Sequence, residues 1–310
     1  MQIREALESD IPEILQVLKA SLGEVSSKKT EEVWRFKHVD NPFGKSLIIV
    51  AVENFKIIGV RAFMRWEWIR GEEIFYAFRA VDTATHPDHQ GKGVFKKLTL
   101  KAIETGEMQG DHFIFNTPNS QSLPGYLKMG WKQLGKLKIS VYFVNPIFWK
   151  IKNNWKYSIS QAKFEKIEFL LDEHNKNKIC QNKLFTPINM EYLYWRYHSN
   201  PLQKYHIEFD SDFYLAVYVK EHKYFRELRI AEQIFNGDFG LQKINKVVKK
   251  LSKNYGVQII TSTSVLKSLK FSGNFGPVFT LKNINLEPTD FDDFLKLENW
   301  NYSIGDLELF

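Results

Sequence analysis

A single cysteine, Cys180, stands in a chain of 310 residues. It cannot form an internal disulfide and has no partner for a CxxC or paired-cysteine zinc pattern, so the thiol reads as structural or incidental. The eight histidines are scattered, with no HExxH among them, and no metal cofactor is expected. No apolar run reaches the roughly 18 residues of a membrane-crossing helix. The opening MQIREALESD lacks the basic and apolar regions of a signal peptide, and a cytoplasmic protein is expected. Two well-known phosphate loops are missing as well. No Lys-Ser or Lys-Thr follows the glycines near residue 91, and Lys96 stands where GxGxxG needs its third glycine.

What is present suits a soluble chain of two domains, with 44% hydrophobic residues to fill their cores. The formal charge of +7 comes from lysines spread along the chain and suits an anionic ligand. There is no basic recognition helix or aromatic RNA platform, so no nucleic acid is expected as partner. A basic, aromatic stretch at residues 148–157 has two readings, an amphipathic element on a membrane surface or a connector that packs its rings between domains. Its short apolar stripe and the lack of a lipidation signal favour the connector.

The most informative stretch is residues 80–98, AVDTATHPDHQGKGVFKKL. A β-branched apolar run, a polar turn with Gly91 and Gly93, and an amphipathic segment give the order strand, glycine turn, helix. The N–H groups of such a turn and of a helix start point the same way, where the helix dipole also favours negative charge. That is a place for a phosphate. Within it Gln90, Gly93 and Phe95 fit Q-x-x-G-x-G/A except at the last position, and His86-Pro87-Asp88 precedes them. Further on, Asn119 lies seven residues before Tyr126, with Gly130 and Trp131 four and five residues after it.

These two motifs, in this order and spacing, resemble those of the GNAT acetyltransferases over residues 80–131, and residues 1–144 resemble the family more loosely. The resemblance implies an α+β fold, a mixed central sheet flanked by helices. It implies acetyl-CoA as acyl donor, with the pyrophosphate on Gln90, Gly91, Lys92, Gly93, Val94 and Phe95. The pantetheine arm would pair with the strand edge at Thr83, Ala84 and Thr85, and Asn119 would bond the arm or an ordered water. Tyr126 corresponds to the general acid that protonates the leaving thiolate. Asp82, the only acid between Phe75 and Thr85, is either the general base or an ion-pair partner of Arg79, with His86 and His89 as alternative bases. The expected acceptor is a primary amine of a small molecule or amino sugar. The rival readings are an acyl-CoA sensor with reduced turnover and aminoacyl transfer to a cell-wall precursor. Phe95 departs from the family's small residue, and Pro124-Gly125 predicts a second-motif helix that starts late or bends.

Along the chain, the pattern predicts a strand over residues 3–6 and a D-x-x-E capping box at Asp10 and Glu13 before the first helix. A second helical turn is expected within residues 28–37, and strands over 47–53, 56–65 and 66–78. The expected organisation is an acyltransferase domain at 1–145, a connector at 146–160 and an α+β domain at 161–310. In that last part, strands over 213–219, 224–235 and 257–260 around a helix at 241–251 repeat the first half's order. Trp195-Arg196-Tyr197 before Asn200-Pro201 also echoes Trp34-Arg35-Phe36 before Asn41-Pro42. We read it as a degenerate copy of the same fold, lacking the phosphate loop and with Leu269 opposite Tyr126; an unrelated α+β domain is the alternative.

Overall fold

The computed structural model describes residues 1–23, 28–159, 167–263, 266 and 270–307. Leu269 lies outside them. The chain opens with β1 (Gln2–Glu5), α1 (Ile11–Leu22) and α2 (Glu31–His38), followed by the strands β2 (Leu47–Glu53), β3 (Lys56–Arg70) and β4 (Glu73–Thr85). Then come α3 (Val94–Met108), β5 (Phe113–Asn116), α4 (Leu123–Lys128), β6 (Lys132–Lys136) and β7 (Ile139–Phe143). The second half contains α5 (Glu168–Cys180), β8 (Leu184–Phe185), α6 (Met190–Leu193), β9 (His206–Phe209), β10 (Phe213–Glu221) and β11 (Arg226–Phe235). It ends with α7 (Gly237–Asn254), β12 (Ile259–Ser262), β13 (Lys270–Gly273), β14 (Val278–Asn283), α8 (Pro288–Phe294), β15 (Trp300–Asn301) and α9 (Ile304–Leu307).

Several local expectations are corrected. No break falls between residues 65 and 66, because β3 runs unbroken to Arg70 and turns at Gly71, whose φ is +58°. Asp10 does not cap α1. Its carboxylate takes the Leu7 N–H and pairs with Arg4, while Glu13 reaches out to the Ile57 N–H. The helix of the second motif does start late: α4 begins only at Leu123, with Pro124 in its first turn, where a missing N–H leaves no bond unmade.

Two mixed sheets form the molecule. The first has the order β1-β2-β3-β4-β5-β14-β6, with β8 and β15 attached at β3; the second has the order β9-β10-β11-β12-β7-β13. Each has a parallel pair of neighbouring strands linked by a single crossover helix, β4 and β5 through α3, β11 and β12 through α7, and the first sheet adds the short parallel pair β8 and β15. Neither half of the chain supplies all of its own sheet. β14, from near the end, lies between β5 and β6, and β7, from the first half, lies between β12 and β13.

Side-chain alternation along β3 and β4 divides the first sheet into two buried faces. Ile58, Phe63, Phe78 and Ala80 meet Val94, Leu98 and Ala102 of α3 on one side. On the other, Val60, Ala62, Met64, Trp66 and Trp68 meet α1, α2 and a group of large aromatics from the second half, including Tyr192, Trp195, Tyr197 and Trp300. The connector runs along the second half, with Trp155 edge-on to Tyr255 at 4.7 Å and Phe148 beneath the Lys253 ammonium.

Candidate active site

β4 is straight until Val81 and then carries one extra residue. Opposite it on β3, Arg61 pairs with Thr83 and Ala62 with Val81, so Asp82 is the bulged residue, with φ +29°. β4 is bonded to β5 only from Ala77 to Arg79. Beyond that, residues 80–85 stay on β3 and part from β5. A strand that separates from its neighbour offers main-chain groups to an extended ligand. The structure therefore brings Thr83, Ala84 and Thr85 to the mouth of an opening between two parallel strands.

At the end of β4 the loop turns into α3. Gln90 steadies it, its amide donating to the Thr85 carbonyl at 3.3 Å. Gly91 and Gly93 take φ of +76° and +73°, and open space lies where a side chain would project from either. The first α3 donor of this turn to find a helical acceptor is Lys97 N–H, on Gly93 O at 3.1 Å. The donors of Val94, Phe95 and Lys96 thus point outward beside Lys92, an arrangement that fits a pyrophosphate. Gly59, on β3, lets the helix approach this closely, because a Cβ there would lie 2.8 Å from the Val94 side chain. The Phe95 ring turns down towards the sheet, edge-on to Tyr126 with centroids 5.9 Å apart.

Tyr126, on α4, is buried between Phe95 and Trp131. Its hydroxyl oxygen accepts from Arg61 Nη1 at 2.8 Å, and the same nitrogen donates to Thr83 Oγ1. Asn119 holds the turn that opens α4. Its Oδ1 accepts from Gln121 N, Ser122 N and Ser122 Oγ, at 3.1, 2.9 and 3.0 Å. The structure thus joins Thr83 and Tyr126 through Arg61, sets the Phe95 ring of the loop against Tyr126, and gives Asn119's oxygen a structural task.

Asp82 faces α2. Its carboxylate pairs with buried Lys37 and accepts from His38 Nε2 at 3.1 Å, while His38 Nδ1 lies 2.8 Å from Ser46 Oγ. Burial by itself would raise the Asp82 pKa; the Lys37 charge and the His38 bond more than reverse this and hold the group well below the usual carboxylate range. His38 shifts down because burial outweighs the attraction of Asp82, which leaves a neutral imidazole. So placed, Asp82 has little affinity for a proton. The alternative partner, Arg79, is engaged elsewhere, donating to Asp306 O at 2.6 Å and to Leu307 O. Of the loop histidines, His89 Nδ1 lies 3.3 Å from a Glu53 oxygen and His86 Nδ1 accepts the Asp88 N–H.

Sequence reading misses Arg61, Lys37 and His38. Arg61 leaves a trace, a lone cation within the apolar run of β3. Lys37 and His38 sit in a charged helix and look like surface residues. Among the described residues no group of three or more His, Cys, Asp or Glu side chains is placed to hold a metal ion, and no helix is long and apolar enough to cross a membrane.

A mixed sheet that splays beside a glycine turn and a free helix start defines a GNAT-like acyltransferase fold. Comparison with known proteins agrees: residues 2–134 match the family model described as an acetyltransferase (GNAT) domain, and this part of the chain is a GNAT domain. Solved structures resemble nearly the whole chain. A probable N-acyltransferase from Enterococcus faecalis V583 matches with TM-score 0.65 and 10% identity, over 91% of this chain and 72% of that one. A GCN5-related N-acetyltransferase from Anabaena variabilis matches with TM-score 0.65 and 13% identity, over 92% and 73%. Eis1 from Mycobacterium abscessus matches with TM-score 0.57 and 11% identity, over 92% and 74%. At such identities the likeness is one of fold. No curated protein matches the sequence.

Proposed function

We propose that the chain is an N-acyltransferase that moves an acetyl group from acetyl-CoA to a primary amine of a small molecule or amino sugar, by direct attack in a ternary complex. The observation that carries this reading is the parting of β4 from β5 next to the unspent N–H groups of the loop, with the Tyr126 hydroxyl on the same side of the sheet as α3. In this reading the thioester lies in the opening, its pantetheine along residues 83–85 and its pyrophosphate over Gly91 to Phe95. The bound coenzyme supplies an activated acyl group. The amine attacks the carbonyl carbon, the C–S bond breaks, and Tyr126 gives its proton to the departing sulfur. Asp82, already matched by Lys37 and His38, fixes the bulge rather than accepting the amine's proton.

A bulky Phe95 in place of a small residue would favour an acyl-CoA sensor if it blocked the loop; its ring instead packs on Tyr126, and open space lies beside Gly91 and Gly93, which supports the enzyme reading. The second half we read as a copy of the same fold without a phosphate loop. The matching strand order and crossover helix support this. A panel of amine acceptors, followed by thiol release from acetyl-CoA, tests the reading. Turnover with a primary amine supports it. Failure of every amine, together with no binding of acetyl-CoA, would remove it.

A further inference from the structure

Arg61 is a cation in the wrong surroundings for one. It lies fully buried in the middle of β3, with its guanidinium carbon 4.6, 5.6 and 5.2 Å from the ring centres of Phe63, Phe95 and Tyr126. Among the described residues no carboxylate pairs with it. Nη1 carries both of its polar contacts, to Thr83 Oγ1 and the Tyr126 oxygen, while Nε and Nη2 are buried without a hydrogen-bond partner. Burying a charge without a counter-charge is costly, and packing alone does not call for a cation here.

The geometry of the contact suggests what the charge is for. Because Nη1–H donates into the Tyr126 oxygen, the phenol's own hydrogen must point away from Arg61, and no acceptor takes it among the described residues. We infer that Arg61 is a positioning residue for Tyr126. It aims the O–H into the opening and holds the oxygen once its proton has gone. This deepens the proposed function and rests on it. As the C–N bond forms and the C–S bond breaks, the bonding electron pair leaves on sulfur and the Tyr126 proton goes to that sulfur. The phenolate that remains is matched by the guanidinium until solvent returns a proton, while the acylated nitrogen loses its extra proton to solvent. The unmatched positive charge of the resting site is matched only while the reaction is under way, so its stabilisation falls on kcat.

The test compares Arg61→Met, Arg61→Lys, Tyr126→Phe and the Arg61→Met/Tyr126→Phe double variant in the full chain. Steady-state thiol release is measured with a verified amine, and acetyl-CoA affinity by calorimetry. Arg61→Met is expected to lower kcat by about 10- to 100-fold while acetyl-CoA affinity stays within about threefold. Arg61→Lys should restore part of the loss, and the double variant should be no slower than Tyr126→Phe. The deficit should narrow as pH rises, because the thiolate then leaves unaided. If Tyr126→Phe is slow but Arg61→Met is not, the inference fails and the proposed function stands. Losses that multiply in the double variant would make Arg61 an independent structural residue and also overturn it. Near-normal kcat in Tyr126→Phe would instead remove Tyr126 as the acid. Should Arg61→Met fail to fold, Arg61→Lys decides: a loss confined to kcat supports the inference, and a joint loss of kcat and acetyl-CoA affinity defeats it.

Discussion

Thr280, more than 160 residues further along the chain, stands directly opposite Asn116 in the first sheet, and its Oγ1 is hydrogen-bonded to the Asn116 side chain. The contact places a strand of the second half against β5, the strand that frames the candidate site. β7 returns the exchange by pairing with β12 and β13. The two halves are therefore joined through their sheets as well as through their packing.

A chain ending at Val144 would lack β14, leave β5 and β6 with unpaired edges and expose β7. Exposed apolar edges of this kind aggregate. We expect such a fragment to be insoluble or without fixed tertiary structure, whereas residues 1–144 and 145–310 produced together should purify as one complex. A soluble, monomeric 1–144 fragment with a sharp unfolding transition would contradict the exchange.

The pairing of Asp82 with Lys37 and His38 carries its own pH dependence. The Asp82 pKa is lower in the folded state than in the unfolded one, so its contribution is fully present above the unfolded value of about 3.9 and is lost as pH falls below that. Asp82→Asn removes the buried carboxylate that Lys37 and His38 share and should cost about 3–5 kcal/mol at pH 7. Urea unfolding should show the gap between wild type and variant closing below about pH 4. A variant as stable as wild type at pH 7 would mean that the pair is solvated.

Glu232 behaves in the opposite sense. Burial, with Asp306 nearby, raises it to about 7, while Tyr197 OH donates to its Oε2 at 3.0 Å. A folded pKa above the unfolded value of about 4.3 means that ionisation destabilises the fold, so this group's contribution to wild-type stability should fall as pH rises from about 4.3 to about 7 and level off above that. Glu232→Gln keeps an acceptor for Tyr197 and should stabilise the protein at pH 8 while changing little at pH 5. Thermal unfolding at the two pH values checks this, and equal effects at both would refute it.

Much of this could be read from the residues. The strand, turn and helix of residues 80–98 announce themselves because β-branched runs, positive-φ glycines and helical periodicity are local features. The seven-residue spacing from Asn119 singles out Tyr126, whose ring lies against Phe95 of the loop. What stayed hidden depends on partners far away in the chain. Nothing local in Val278–Asn283 says which sheet it joins, since an alternating strand suits either. Lys37 and His38 look exposed in a charged helix until Asp82, bulged out of β4, turns towards them. Asp10 showed the same limit, because a good capping residue was taken by Arg4 and the Leu7 N–H.

The removal of the Tyr126 hydroxyl alone, in Tyr126→Phe, should leave the Trp131 and Phe95 packing and acetyl-CoA affinity nearly unchanged while kcat falls by about two orders of magnitude. Residual activity should rise with pH. A normal kcat on a verified amine would assign the proton to water or another donor.

The central claim is that one acyl-CoA binds each chain, at the loop of Gln90 to Phe95, and calorimetric titration with acetyl-CoA addresses it most directly. We predict a single site per chain in the wild type. Gly93→Val forces a β-branched residue into a left-handed backbone conformation that costs it about 1–2 kcal/mol, and should weaken binding at least tenfold in a chain that still unfolds cooperatively. No binding to the wild type, or two sites of similar affinity, would contradict the account.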